Sequence, residues 1–381
     1  MASCKVVGEC GGCKYIGRPY HYQMGKKQEY VSKLFEGICD VDLIIPCDEP
    51  YYYRNKVHAA FKRMRGGRII YGTYAEGSHR VIEHSKCYIE NKKAQKIIDD
   101  IAVLAAKHKM SIYNEKTYRG LLRHVMVRVS DKTGQIMVVL VVGNKYFTGK
   151  KSFIDDLRNL HPEITTVLTS FNERRDSMVL GNSVRTEFGS GVIEEELFNK
   201  RFKLSAESFF QVNTPQAEHL YATVADLADI MPEHRILDCY CGTGTITIFL
   251  SDLCKEATGV EINSAAVDNA NRNKRLNRAG NVSFVCRDAT DYMEWLVLQG
   301  KEKIDTVIID PPRAGTTVRF INSCSTLAPD RIIYVSCNPE TLLRDVKLFR
   351  SAGYKADKVV PVDMFPWTEE IECVCRLKRI N

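Results

Sequence analysis

No stretch of this sequence approaches the roughly 18 consecutive apolar residues that a membrane-spanning helix needs. The N-terminus, Met1-Ala2-Ser3-Cys4-Lys5, lacks the apolar core of a secretory signal. These absences predict a cytoplasmic chain, and in that reducing compartment its 14 cysteines argue against a disulfide framework. They point instead to metal, cluster or thiolate chemistry. Strong charge of either sign is also missing, the net charge being only +7 over 381 residues. That mild excess of Lys and Arg suits a polyanionic partner such as RNA without establishing one. What remains is the composition of a globular protein, 44% hydrophobic and 27% charged, long enough for two or three domains.

Cys4, Cys10 and Cys13 form a C-x5-C-G-G-C pattern. It puts three thiolates in one loop, with glycines that let adjacent sulfurs turn toward one centre. A fourth ligand has to come from elsewhere; Cys87 is the best candidate, with Cys39 and Cys47 weaker. Four thiolates suit either an iron–sulfur cluster or structural zinc, and spacing alone does not choose.

A helical pattern covers Tyr20–Leu34. Tyr51, Tyr52 and Tyr53 then lead into an alternating strand at 57–64, a turn at 65–68 and a return strand at 69–74. Arg54, Lys56, Lys62, Arg63, Arg65 and Arg68 crowd this hairpin. Cations among aromatics suit single-stranded RNA, and equally a solvated hairpin face. A basic amphipathic helix at 92–110 is expected beneath it. Further on, 121–129 and 135–142 read as a hairpin around Asp131-Lys132-Thr133-Gly134. Strands are predicted at 164–171, 178–180 and 202–205, and a helix near 153–160. Asn213 or Thr214 caps a helix with Pro215 in its first turn. The predicted organisation is an N-terminal cysteine segment with the hairpin (1–114), a small mixed α+β central domain (115–205) and a C-terminal domain (206–381).

From Arg235 the pattern alternates strand and helix, which predicts a doubly wound, Rossmann-like α/β sheet with ligands at the strand ends. The G-x-G-x-x-G of a dinucleotide site is missing from its glycine turn, which reads Asp238-Cys239-Tyr240-Cys241-Gly242-Thr243-Gly244-Thr245. A second strand ends in Glu261, placed to take both hydroxyls of a ribose. Asp288 follows a third strand, placed to take an adenine amino group. A ribose and a base without a phosphate fit S-adenosylmethionine. A fourth strand ends at Asp310-Pro311-Pro312-Arg313, and a fifth delivers Cys337 before Asn338-Pro339.

Amino-methylating enzymes carry a similar D/N-P-P motif, usually with an aromatic residue where this chain has Arg313. An exocyclic amine is already nucleophilic and needs no cysteine; carbon 5 of a pyrimidine is not. It becomes so when a thiolate adds to carbon 6, and the reaction then needs a base for the carbon 5 proton. Cys337 is the nucleophile by position, and Asp363, Glu369, Glu370 and Glu372 are carboxylates available as the base. Amino-directed methylation, and an RNA-binding protein with a relict fold, are the competing readings.

The motifs F-F-Q-V-N at 209–213, D-C-Y-C-G-T-G at 238–244, G-V-E at 259–261, D-P-P-R at 310–313, S-C-N-P at 336–339 and D-M-F-P at 363–366 fall in one order. In this the chain resembles the tRNA/rRNA (uracil-5-)-methyltransferase family over nearly its whole length. The resemblance implies cofactor contacts from Gln211, Tyr240, Glu261, Asp288 and Asp310, with Thr245 where some members place another. It implies Cys337 as nucleophile and Glu372 as the proton-abstracting base. Cys4, Cys10, Cys13 and Cys87 resemble the [4Fe-4S] ligands of the rRNA-modifying branch, which favours an iron–sulfur segment over zinc and 23S rRNA over tRNA. The same likeness puts 51–56 on the RNA-facing side. No obligate protein partner is evident, and a monomer is expected. Two features depart from the family. The small N-terminal β-barrel of many members is not expected here. The usual F-P-H-T-x-H-V-E carries Trp367 and Glu370 in place of its histidines.

Overall fold

The computed structural model describes residues 4–84, 86–176, 178–300 and 303–380. In chain order the first elements are α1 (Tyr20–Leu34), β1 (Asp40–Val41), β2 (Lys56–Arg63), β3 (Ile69–Tyr74), β4 (Val81–Glu83) and α2 (Lys92–Lys107). Next come β5 (Leu122–Val129), β6 (Ile136–Val142), α3 (Lys150–Leu160), β7 (Ile164–Phe171), β8 (Ser183–Phe188), β9 (Ile193–Leu197) and β10 (Lys200–Leu204). Then follow α4 (Thr214–Ala228), β11 (Arg235–Cys239), α5 (Thr245–Leu250), β12 (Glu256–Glu261), α6 (Ser264–Leu276), β13 (Val282–Cys286) and α7 (Ala289–Gln299). The last are β14 (Thr306–Ile309), α8 (Val318–Leu327), β15 (Arg331–Ser336), α9 (Pro339–Ser351), β16 (Tyr354–Val362) and β17 (Glu372–Arg379). No helix among the described residues is long and apolar enough to cross a membrane.

The chain forms two compact units. One comprises Met1–Gly17, Glu49–Glu196 and Lys203–Glu207; the other comprises Arg18–Asp48, Leu197–Phe202 and Ser208–Asn381. The first unit is built on a seven-stranded sheet in the order β4-β3-β2-β5-β6-β7-β8. Its middle strands, β5 and β6, are buried at every position, which explains their near-continuous apolar runs. β2 alternates, and sends Val57, Ala59 and Phe61 into a core shared with Ile97, Ile98 and Ile101 of α2 and Phe153 and Leu157 of α3. Asn91 caps α2 by accepting from the Lys93 and Ala94 N–H groups at 2.9 and 3.3 Å.

Two expectations are corrected here. A domain boundary at 114/115 would cut this sheet, because β2 pairs with β5 from Lys56↔Arg128 to Ala60↔His124. Apart from Arg18–Asp48, which belongs to the second unit, the N-terminal segment and most of the central domain read from the sequence form one unit. The predicted strand at 178–180 is a loop, since the Asn172 side-chain amide takes up the Met178 and Val179 carbonyls, both at 2.7 Å. The strand begins at Ser183 instead.

The second unit contains an eight-stranded sheet in the order β1-β16-β17-β15-β14-β11-β12-β13. β11 pairs in parallel with both β12 and β14, so the winding reverses between β11 and β14, where open α/β sheets bind ligands. The five strands expected from the sequence are present. β16 and β17 were not expected, and β17 runs antiparallel between β15 and β16. Tyr334, Phe320 and Phe349 are fully buried in this core, each contributing about 1.5–3 kcal/mol of transfer free energy.

Gly120 shows how tightly the first unit is closed. Its φ is +125°, and a Cβ there would lie 2.4 Å from the Ile112 carbonyl oxygen. Gly120→Ala is expected to destabilise the protein by about 1–3 kcal/mol, seen as a lower urea midpoint with an unchanged slope.

Candidate active site

The second unit's parallel strands end together. The register Cys239↔Val260, Cys239↔Ile309 and Ile309↔Tyr334 brings the residues that follow β11, β12, β14 and β15 to one edge. There they line a cavity of about 540 Å³. Of the sequence-predicted residues, Gln211, Tyr240, Thr245, Glu261, Asp310, Cys337 and Glu372 all line it. Asp288 does not. Its Oδ1 caps α7, accepting from the Thr290 and Asp291 N–H groups at 2.8 and 3.1 Å.

The glycine turn is shaped by three consecutive demands. Tyr240 has φ +66°, and its hydroxyl is 3.1 Å from that of Thr316. Gly242 has φ +55°, and a Cβ there would meet no atom within 4 Å, so its bare backbone faces open space. Gly244 has φ +79°, and a Cβ there would lie 2.4 Å from the Phe284 ring. The Glu261 carboxylate accepts from the Gly242 N–H at 3.2 Å and from the Asn263 N–H at 2.8 Å, which fixes it beside the turn. Below the turn the Thr247 hydroxyl donates to Asp238 at 2.5 Å, and burial pushes Asp238 up to about 7.

Cys337 and Glu372 meet through strand register. The last pair between β15 and β17 is Ser336↔Cys373. One further antiparallel step sets position 337 beside 372. Glu372 is 5% exposed, and burial, Asp310 and Glu370 raise its pKa well above the ordinary carboxylate range while Arg313 lowers it. Burial alone pushes Asp310 up to about 7. The Cys337 thiol rises to about 11, through burial first and Glu372 second, against the opposing pull of Arg313.

Tyr221 lines the cavity and was not singled out from the sequence, whereas Phe209, of the F-F-Q-V-N motif, and Arg313, of D-P-P-R, were noted there without a role. Arg313 forms a 2.7 Å ion pair with Glu370 and contacts the Cys337 thiol. The loop from 363 to 371, which carries Glu370 and leads into β17, is anchored by α1. The Lys27 ammonium is 2.5 Å from Asp363 and donates to the Phe365 and Glu370 carbonyls at 3.2 and 2.8 Å. Tyr20 and Gln23 donate to the same carboxylate at 2.7 and 3.2 Å. Trp367 is 1% exposed, with φ +70°, and its N–H donates to Gln23 at 2.6 Å. Of the two histidine replacements, Trp367 anchors the loop and Glu370 holds Arg313.

In the first unit Cys4, Cys10, Cys13 and Cys87 line one cavity of about 100 Å³. Burial, Cys10 and Cys4 push Cys13 up to about 12; burial and Glu90, then Cys13, contribute to the rise of Cys87 to about 12. Arg54, Thr73 and His84 also line this cavity, and Arg54 Nε, Thr73 Oγ1 and His84 Nδ1 are buried without a hydrogen-bond partner. Among the described residues, no three His, Cys, Asp or Glu side chains converge as a ready-made metal-ion site. Cys39 and Cys47 lie in the other unit.

An open α/β sheet with a glycine turn, a strand-end acid and a paired thiol and carboxyl defines a Rossmann-like methyltransferase fold. The comparisons agree. The tRNA (Uracil-5-)-methyltransferase family model matches residues 20–380. An uncharacterized RNA methyltransferase of Halalkalibacterium halodurans is 36% identical over 385 residues, covering 100% of this chain and 84% of that protein. One from Clostridium tetani is 36% identical over 375 residues, covering 97% and 81%. The crystal structure of Pyrococcus abyssi tRNA (uracil-54, C5)-methyltransferase in complex with S-adenosyl-L-homocysteine matches with a TM-score of 0.80 and 27% identity, covering 96% of this chain and 85% of that one. The chain belongs to the tRNA (uracil-5-)-methyltransferase family.

Two outcomes follow from this geometry. Because the thiol's pKa is raised to about 11, alkylation of Cys337 in the free protein should rise about tenfold per pH unit from 7 to 10 without a plateau, as peptide mapping after iodoacetamide treatment would show. Lys27→Met leaves Asp363 buried without its ion pair and should cost about 3–5 kcal/mol, read from urea unfolding.

Proposed function

We propose that this chain transfers a methyl group from S-adenosylmethionine to carbon 5 of a uridine in RNA. The observation that carries the reading is Cys337 and Glu372 at one cavity edge, set side by side by the β15–β17 register. The residues around the glycine turn fit the cofactor. Gly242 leaves its backbone open to the cavity, and Glu261, fixed beside the turn, would take the ribose hydroxyls. Gln211, Tyr240, Thr245 and Asp310 would complete its binding, with Asp288 acting through α7. When bound, S-adenosylmethionine supplies the electrophilic methyl group that carbon 5 accepts.

The protein's own groups do the rest. The Cys337 thiolate forms a bond to carbon 6 of uracil, and the carbon 5–carbon 6 π electrons move onto the ring carbonyl as an enolate. With the methyl group on carbon 5, Glu372 removes the proton there, the sulfur–carbon bond breaks and the double bond returns. Burial makes Glu372 a stronger base than a solvated carboxylate, and Arg313 favours its ionised form. Arg313 also offsets part of the cost of ionising Cys337.

We infer further that Cys4, Cys10, Cys13 and Cys87 hold a [4Fe-4S] cluster in a structural role. What supports this is their shared cavity and the three unpartnered polar atoms in its wall. Methyl transfer needs no electron. The cysteine set favours 23S rRNA as substrate. The family description and the Pyrococcus abyssi enzyme's tRNA substrate favour the second reading, tRNA. On either reading the chain acts as a cytoplasmic monomer.

RNA carrying 5-fluorouridine should form a denaturation-resistant adduct on Cys337; methylation of such RNA without an adduct would instead mark an amine-type mechanism. Cys337→Ala should abolish methylation yet keep cofactor binding. Glu372→Gln should accumulate an adduct with unmodified RNA. Assays on 23S rRNA and tRNA transcripts separate the two substrates. Anaerobically purified protein should be brown with about four irons per chain; a colourless protein with one zinc would overturn the cluster.

A further inference from the structure

The first unit has a further cavity, on the sheet face opposite its helices. It encloses about 390 Å³ and is lined by His58 and Ala60 of β2, Gly72 and Tyr74 of β3, and His124 of β5, among others. That volume is within the range of small-ligand sites and large enough for one nucleoside. Polar atoms in its wall are left for a ligand. His58 Nδ1 is buried and has no hydrogen-bond partner. Leaving such an atom unpaired costs about 1–3 kcal/mol. His124 is 6% exposed and lies edge-on to Tyr74, with ring centroids 5.7 Å apart; His79 meets the same tyrosine at 5.2 Å.

The chemistry of this wall is neutral and aromatic. Burial, followed by Lys56 and other cations, brings His58 down to about 3. Burial and Arg123 bring His124 down to about 4. Both imidazoles are therefore uncharged at pH 7, each with one donor and one acceptor nitrogen. The Arg123 guanidinium at the same cavity is already engaged by Glu115, at 2.8 and 3.1 Å. A free anion finds no unneutralised charge here; a flat, uncharged ring with donors and acceptors on its edge does find matching groups.

Tyr74 and His79 also line an adjoining groove of about 610 Å³. That groove adds Lys62, Lys116 and the Tyr113 ring. Cations beside a neutral aromatic pocket are the arrangement that carries a nucleic-acid backbone past a captured base. We infer that the His58–His124 cavity is a second nucleobase pocket, which takes an unpaired base of the RNA away from the methylated uridine, with the adjoining groove carrying that strand's phosphates. The inference rests on RNA being the substrate, as proposed above.

The test compares two strands of about 12 nucleotides, one single-stranded RNA of mixed sequence and one wholly abasic, binding to the full chain. His58→Phe keeps a ring at this position but removes both imidazole nitrogens. It should weaken the RNA about tenfold and leave the abasic strand unchanged, with melting temperature and S-adenosylmethionine affinity as in the unsubstituted protein. Lys62→Gln should weaken both strands and lower the salt dependence by about one unit. In the unsubstituted protein, the His58 and His124 imidazole NMR signals should shift with the RNA and stay in place with the abasic strand. Equal effects of His58→Phe on both strands, or on neither, would overturn the pocket. So would imidazole signals that ignore the RNA, and this readout decides if the variant fails to fold. Methyl transfer to RNA is scored separately, so failure of the enzyme assignment is recognisable on its own.

Discussion

The second unit depends on one buried cation. Lys27 is 2% exposed, on a helix that supplies no group to the catalytic cavity. Burial lowers its pKa, and Asp363, with two backbone carbonyls accepting its hydrogen bonds, works against that. Such a pair adds little net stability over a hydrophobic replacement, but it fixes geometry because removing either partner leaves the other charge buried without its counter-charge. Here it fixes the loop between β16 and β17. Tyr20, Gln23 and Trp367 complete the clamp, and β17 starts where the loop ends.

Around the cavity the same physics works through crowding. Asp238 and Asp310 are raised chiefly by burial, while Arg313 pairs with Glu370 and pulls Glu372 and the Cys337 thiol the other way. Burial is the larger cause, and Asp310 and Glu370 add to the rise of Glu372 as Glu372 adds to that of Cys337. The site at rest is therefore poor in free charge. The Cys337 thiol and the Glu372 carboxyl both hold their protons more tightly than solvated groups would.

How legible this was in the sequence depends on how local the signals were. Strand ends carrying chemistry are marked by turn residues. Gly242 and Gly244 mark one, Pro311 and Pro312 another, and Asn338-Pro339 a third, so the strand-end positions of Tyr240, Asp310 and Cys337 could be read. β16 was hidden by Pro361, which ordinarily argues against a strand. It is tolerated because it lies beyond the two residues that β1 pairs, Asp40 and Val41. The division at 114/115 failed because the β2–β5 ladder joins residues about seventy apart, and no composition shift records such pairing. Asp288 has the right position, but its side chain answers first to two helix N–H groups. Lys27 was illegible for a simpler reason: in sequence, a lysine on a helix gives no sign of burial.

The place of β17 has a consequence for folding. It is the last of the eight strands in chain order, yet it fills an interior gap between β15 and β16. A chain folding as it is made can assemble the glycine turn and present the thiol while that gap is still empty. The carboxylate arrives only with the strand that closes the gap. Bringing the Cys337 thiol and the Glu372 carboxyl together and completing the sheet are thus a single event, and a partly folded chain presents the sulfur without the carboxyl that comes to lie beside it.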